Sequence, residues 1–141
     1  MRVYLGGAIN GRPDSECVDW RRYAASQLTA EAIDPMVRDY RGREDDCVAE
    51  IVELDKADID SVDALLVYYD RPSVGTSMEI LYAWERDKRI ILVNECGGSL
   101  SPWLKYHSHV VVDSLDKGIN VLNNINDLLI GWGLDKGVRH S

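Results

Sequence analysis

Short, almost uninterrupted apolar runs recur along the chain, each followed by a stretch with helical spacing. The runs are Val3-Tyr4-Leu5, Ala64-Leu65-Leu66-Val67-Tyr68-Tyr69, Arg89-Ile90-Ile91-Leu92-Val93 and His109-Val110-Val111-Val112, with a weaker one at Ala32-Ile33. A strand with one face in water alternates apolar and polar residues. A strand apolar throughout is covered on both faces, which is the signature of a parallel sheet between helical layers. The intervening segments suit helices. One spans Asp14 to about Leu28, with Cys17, Trp20 or Arg21, Ala24 and Leu28 on one face, and one spans about Asp45 to Ser61. Others span Thr76 to about Asp87 and Ser114 to about Ile130, the last with Leu115, Ile119, Leu122, Ile125 and Leu129 aligned, and a short helix is expected near Pro102. The order βαβαβαβ, a loop, then βα predicts a flavodoxin/Rossmann-like α/β fold: a five-stranded parallel sheet of order 2-1-3-4-5 with helices on both faces. A fragmentary Rossmann sheet is the alternative. With 141 residues and no linker or repeat, the expectation is one domain over 1–141.

This topology locates a site before any motif is considered. Ligands of open parallel sheets bind beyond the carboxyl ends of the strands, where the strand order reverses. Here that is between the first and third strands, beside the loops Gly6–Arg12 and Asp70–Ser77. Gly6-Gly7-Ala8-Ile9-Asn10-Gly11 lacks the Gly-x-Gly-x-x-Gly spacing and has no phosphate-loop Lys. Dinucleotide and ATP binding are disfavoured, while a tight turn presenting backbone N–H groups is retained.

Composition excludes further classes. A formal charge of −8, from 16 basic and 24 acidic residues, is unsuited to a nucleic-acid polymer. No run reaches the ~20 apolar residues of a membrane span, and the N-terminus lacks a signal peptide's apolar region. Cys17, Cys47 and Cys96 form no Cys-x-x-Cys pair and no ligand set with His107, His109 and His140. Reduced thiols, a cytoplasmic location, no metal and no cofactor are the expectations.

Two acids stand out. Glu79 lies in Gly75-Thr76-Ser77-Met78-Glu79, where Thr76-x-x-Glu79 reads as a capping box. Alternatively, Glu79 is a crevice carboxylate held ionised by the helix dipole and able to attack an electrophilic carbon. Asp55 interrupts the stripe Val48, Ile51, Val52, Asp55, Ile59. It is either solvated or paired with an Arg, or it projects into the crevice opposite Glu79, where two neighbouring carboxyls divide the roles of nucleophile and acid/base. Asp58, Asp60 and Asp63 belong to the end of the second helix and the turn before the third strand, where they read as solvated residues or as a metal site. Asp70 reads as a turn cap or a ligand contact. Ser73, Gly75 and Ser101 are phosphate-type donors or ordinary loop residues, and the charged segment with Arg38, Asp39, Tyr40 and Arg41 covers the site or is simply a surface loop. Trp103, Tyr106 and His107 suit core or interface packing.

Val3-Tyr4-Leu5-Gly6-Gly7-Ala8-Ile9, Asp55 and Arg71-Pro72-Ser73-Val74-Gly75-Thr76-Ser77-Met78-Glu79-Ile80-Leu81-Tyr82-Ala83 resemble the nucleoside 2-deoxyribosyltransferase superfamily, which includes the 2′-deoxynucleoside 5′-monophosphate N-hydrolases. Pro-Ser-x-Gly-x-x-x-Glu is the most specific part, and the interval from Asp55 to Glu79 is similar to the family's spacing of acid and nucleophile. The resemblance implies retaining N-glycosidic chemistry. Glu79 is the nucleophile, Asp55 assists the leaving base, and Tyr4 orients Glu79 and packs near the sugar. The implied substrate contacts are Gly6, Gly7, Ala8, Ile9, Asn10, Arg38, Asp39, Asp70, Ser73, Gly75, Met78 and Ser101, the last reaching a neighbouring subunit's site in a homodimer or larger assembly. Ala8 departs from the family pattern, standing where the monophosphate hydrolases carry Ser. The implied function is hydrolysis of a deoxynucleoside 5′-monophosphate or deoxynucleoside. Base exchange between deoxynucleosides is the first alternative and a non-catalytic nucleotide sensor the second.

Overall fold

A computed structural model describes residues 1–9 and 11–124. In chain order the elements are β1 (Arg2–Gly7), α1 (Asp14–Gln27), β2 (Glu31–Ile33), α2 (Val48–Asp60), β3 (Ala64–Tyr69), α3 (Val74–Glu85), β4 (Arg89–Asn94), α4 (Pro102–Tyr106), β5 (Val110–Val112) and α5 (Leu115–Asn123). Two short 3-10 turns, Pro35–Val37 and Glu44–Asp46, punctuate the strap between β2 and α2. The strands form one parallel sheet of order β2-β1-β3-β4-β5, as the apolar runs require. Asn10, Ile125, Leu129, Trp132 and His140 lie outside the described residues.

Side chains alternate across the sheet and build two cores. Tyr4, Leu65, Val67, Ile90 and Leu92 pack under Ile59 of α2, Ile80, Ala83 and Trp84 of α3, and Leu104 of α4. Val3, Leu5, Leu66, Ile91 and Val93 pack under Trp20 and Ala24 of α1 and Ile119 and Leu122 of α5. α5 comes so close to the sheet that a Cβ on Gly118 would lie 3.0 Å from both Leu66 and Val93.

Several local expectations are corrected. The N-cap of α3 is Ser73, whose Oγ accepts from Thr76 N–H at 3.3 Å, so Thr76 and Glu79 form no capping box. Starting the helix at Val74 moves Glu79 into its second turn and turns it toward the sheet. α2 starts at Val48 rather than Asp45, and Val48 and Val52 face outward, leaving Ile51, Asp55 and Ile59 on its inner side. Asp58 lies on the last turns of α2 as expected but is not simply solvated: it is half-buried and paired with Arg38. Trp103 and Tyr106 are 72% and 56% exposed, so they are not core. Among the described residues no helix is long and apolar enough to cross a membrane, and no group of three or more His, Cys, Asp or Glu is placed to hold a metal ion.

Candidate active site

β2 pairs with β1 only as far as Tyr4↔Ile33, while β3 pairs with β1 through Gly7↔Tyr68. The sheet therefore opens at the carboxyl end of β1, on the side where β2 stops. A crevice of about 370 Å³ lies there, within the range of small-molecule sites. Its lining includes Gly7, Ala8 and Ile9 after β1, Ser73, Val74, Gly75 and Thr76 at the start of α3, Ile51 and Asp55 of α2, and Arg38, Tyr40 and Arg41 of the strap.

Tyr4 and Glu79 stand at the crevice with Asp55. The Tyr4 hydroxyl, whose residue is 1% exposed, donates to Glu79 Oε2 at 2.7 Å. Burial, and then the charges of Glu79 and Asp55, push the phenol well above its ordinary pKa, so it remains an O–H donor. Gly6 runs alongside: a Cβ there would lie 3.8 Å from Glu79 Oε1.

Glu79 is half-buried and lines the crevice. Its pKa is pushed up to about 8, chiefly by burial. The Tyr4 hydrogen bond opposes that rise, the charge and hydrogen bond of Asp55 add to it, and the charge of Arg21 opposes it. The expectation that the helix dipole keeps Glu79 ionised is thus overturned. The N-terminus of α3 lies more than a turn away, where its dipole counts little, and desolvation dominates. Asp55 is also raised, mainly by burial and against the pull of Arg38. The charge of Asp55 thus helps to keep Glu79 protonated, while Asp55 itself is governed by its burial and by Arg38.

Arg38 Nη2 reaches Asp55 Oδ1 at 3.3 Å and Asp58 Oδ2 at 2.6 Å. Asp55 is therefore both Arg-paired and part of the crevice, joining two alternatives the sequence left open. Asp39 does not line the crevice and chelates Arg41, which reaches on to Asp14 Oδ1 at 2.7 Å and so ties the strap to α1. Asp70 is also outside the lining and holds buried Arg12 at 2.6 Å and 3.3 Å. Met78 and Ser101 share a separate surface groove of about 410 Å³ with Trp103 and His107.

Sequence reasoning missed Arg21 as a site residue. It is fully buried, lines the crevice and donates to the carbonyls of Leu5, Gly7 and Cys17. The available signal was a charge four residues after Cys17 on the apolar stripe of α1. Tyr40 lines the crevice as the covering reading of its segment expected, and Arg12, Arg71 and Ile51 line it without having been singled out as contacts.

No protein-family model matches the chain, and no curated protein matches it by sequence. Solved structures do. A 2-deoxyribosyltransferase of Bacillus psychrosaccharolyticus superposes with a TM-score of 0.70 at 14% identity, over 85% of this chain and 91% of that one. The chain has the fold of nucleoside 2-deoxyribosyltransferase-like proteins. A second protein of this fold, the CMP N-glycosidase BcmB of Clostridium botulinum, superposes with a TM-score of 0.56 at 19% identity, over 87% of this chain and 99% of that one.

Proposed function

We propose that the chain hydrolyses the N-glycosidic bond of a 2′-deoxynucleoside 5′-monophosphate or deoxynucleoside. The observation carrying this reading is the meeting of Tyr4, Asp55 and Glu79, from three different elements, at the switch-point crevice. The activities of two proteins sharing the fold, deoxyribosyl transfer and CMP N-glycoside cleavage, support it.

The reaction runs from the form in which Asp55 carries a proton and Glu79 is the carboxylate. A Glu79 oxygen attacks the anomeric carbon, the carbon–nitrogen bond breaks with its electron pair passing to the base, and Asp55 delivers its proton to the leaving base. Water then attacks the same carbon and gives a proton to Asp55, and the sugar–Glu79 ester bond breaks. Tyr4 holds one Glu79 oxygen so that the other faces the sugar. The first N–H groups of α3, beside Ser73 and Gly75, are the proposed seat of a 5′-phosphate.

A second reading, resolution of the ester by another base, is favoured by Ala8 standing where the phosphate-binding Ser of the resembled hydrolases would be. Exposed Met78, Trp103 and Tyr106 are the proposed contact between copies in a homo-oligomer, bringing Ser101 toward a neighbouring crevice.

The test is incubation of deoxynucleosides and their 5′-monophosphates with and without a second base, together with light scattering for oligomeric state. Free base and free sugar are expected from the wild type, and Glu79→Gln is expected to lose about 10³-fold or more in rate. A new nucleoside would mark the transferase. Binding without turnover in the wild type would mark a sensor and refute the enzyme.

A further inference from the structure

Arg21 is the charged side chain whose surroundings are least explained by packing. It projects from α1, on the sheet face opposite α3, yet it lines the crevice that contains Glu79. The backbone shows how it gets there. Glu31 N–H bonds to Met1 C=O, so odd-numbered carbonyls at the start of β1 point toward β2, whereas Arg2 C=O accepts from Asp63 on the β3 side. The alternation aims the carbonyls of Leu5 and Gly7 toward β2 as well. But β2 ends opposite Tyr4, and nothing of that strand reaches them.

Arg21 takes its place. Its Nε donates to Leu5 C=O at 3.2 Å and its Nη2 to Gly7 C=O at 3.1 Å, while Nη1 ties the fork to Cys17 C=O of its own helix at 2.7 Å. Asp34, the residue after β2, stands 3.7 Å from Nε as its counter-ion. A Cβ on Gly7 would lie 3.5 Å from Nη2 and 2.9 Å from the Trp20 ring, so the strand end is pressed against this assembly. A guanidinium with no exposed surface thus closes the sheet edge at the point where the crevice requires an opening.

We propose that Arg21 is a positioning residue for the reaction: it completes the unpaired end of β1 in place of a strand, and its fixed positive charge behind the crevice favours the anionic, attacking form of Glu79. The role in the reaction rests on the reading of Glu79 as nucleophile; the electrostatic coupling does not. The charged and titratable groups facing Glu79 are Tyr4 from β1, Asp55 from α2 with Arg38 behind it on the strap, and Arg21 from α1. Arg21 alone among these brings a positive charge not already engaged by Asp55 and Asp58, and it acts in the same direction on Asp55. Facing Arg21 itself are Asp34, Tyr4, Glu79 and the Cys17 thiol.

The test is a ¹³C-carboxyl NMR titration of Glu79 in the unliganded protein, its resonance assigned by loss in Glu79→Gln, with no turnover needed. In Arg21→Gln the Glu79 midpoint is expected to rise by about one pH unit, and in Arg21→Lys, which keeps the charge but not the fork, it is expected to return most of the way. Asp34→Asn, which leaves Arg21 with less compensation, is expected to move it down, and supplies the answer should Arg21→Gln not fold. In the turnover assay the acidic limb of kcat/KM follows the same shifts. An unmoved midpoint in Arg21→Gln, an equal rise in Arg21→Lys, or a midpoint unchanged or raised in Asp34→Asn would each overturn the proposal. A wild type with no N-glycosidase activity would instead refute the proposed function, leaving the titration to decide on Arg21.

Discussion

Glu79→Gln should stabilise the protein at alkaline pH while it abolishes turnover. A carboxyl whose midpoint rises from 4.5 to about 8 on folding is buried more readily protonated than ionised. Its folded value lies above its unfolded value, so its favourable contribution is complete below pH 4.5 and is lost as pH climbs toward 8. At 1.36 kcal/mol per pH unit the whole interval corresponds to about 5 kcal/mol. Crevice water screens a half-buried carboxyl, and about 2–4 kcal/mol at pH 8 is the working figure. Glutamine keeps the shape and an oxygen to accept from Tyr4 but never ionises. The variant and the wild type should therefore be nearly equal in stability at pH 5 and diverge steadily as pH rises. Urea unfolding of both proteins at pH 5, 6, 7 and 8 measures the divergence, and titrating groups that do not interact with Glu79 cancel in the difference. Parallel stability curves would refute the claim that Glu79 is held at the expense of the fold.

Two further outcomes follow from the geometry. Gly7→Ala would place a methyl 2.9 Å from the Trp20 ring and 3.1 Å from the backbone carbonyl of Tyr68, and a loss of about 1–3 kcal/mol is expected in thermal or urea unfolding. Arg38→Gln removes the charge that holds Asp55 down, so the Asp55 pKa should rise further and the alkaline limb of the pH–rate profile should move up with it. A limb that stays in place or moves down would show that Asp55 is not the group carrying the reactive proton.

The architecture was legible because burial on both faces leaves its mark on the central strands: Leu65-Leu66-Val67 and Ile90-Ile91-Leu92, short apolar runs alternating with helical segments, suit the middle of a covered parallel sheet. The order 2-1-3-4-5, and with it the place of the crevice, followed from the rhythm of strands and helices. Local boundaries were less legible. Thr76 and Ser73 are both competent caps, and the choice of Ser73 was settled by how α3 docks on the sheet, which no spacing rule encodes.

Asp55 and Glu79 were conspicuous in the sequence as acids in apolar company. The sequence by itself determined a sheet opening beside glycines able to approach closely, and left open whether either acid faced it. Only the tertiary structure decided their electrostatics. Desolvation by groups distant in the chain raises Glu79, the Tyr4 hydroxyl selects one of its oxygens, and an arginine from the opposite layer reaches around the end of β1 to face both. Those effects depend on distances of a few ångströms between elements that meet only when the sheet is assembled, whereas apolar patterning acts along each element separately and can be read before folding.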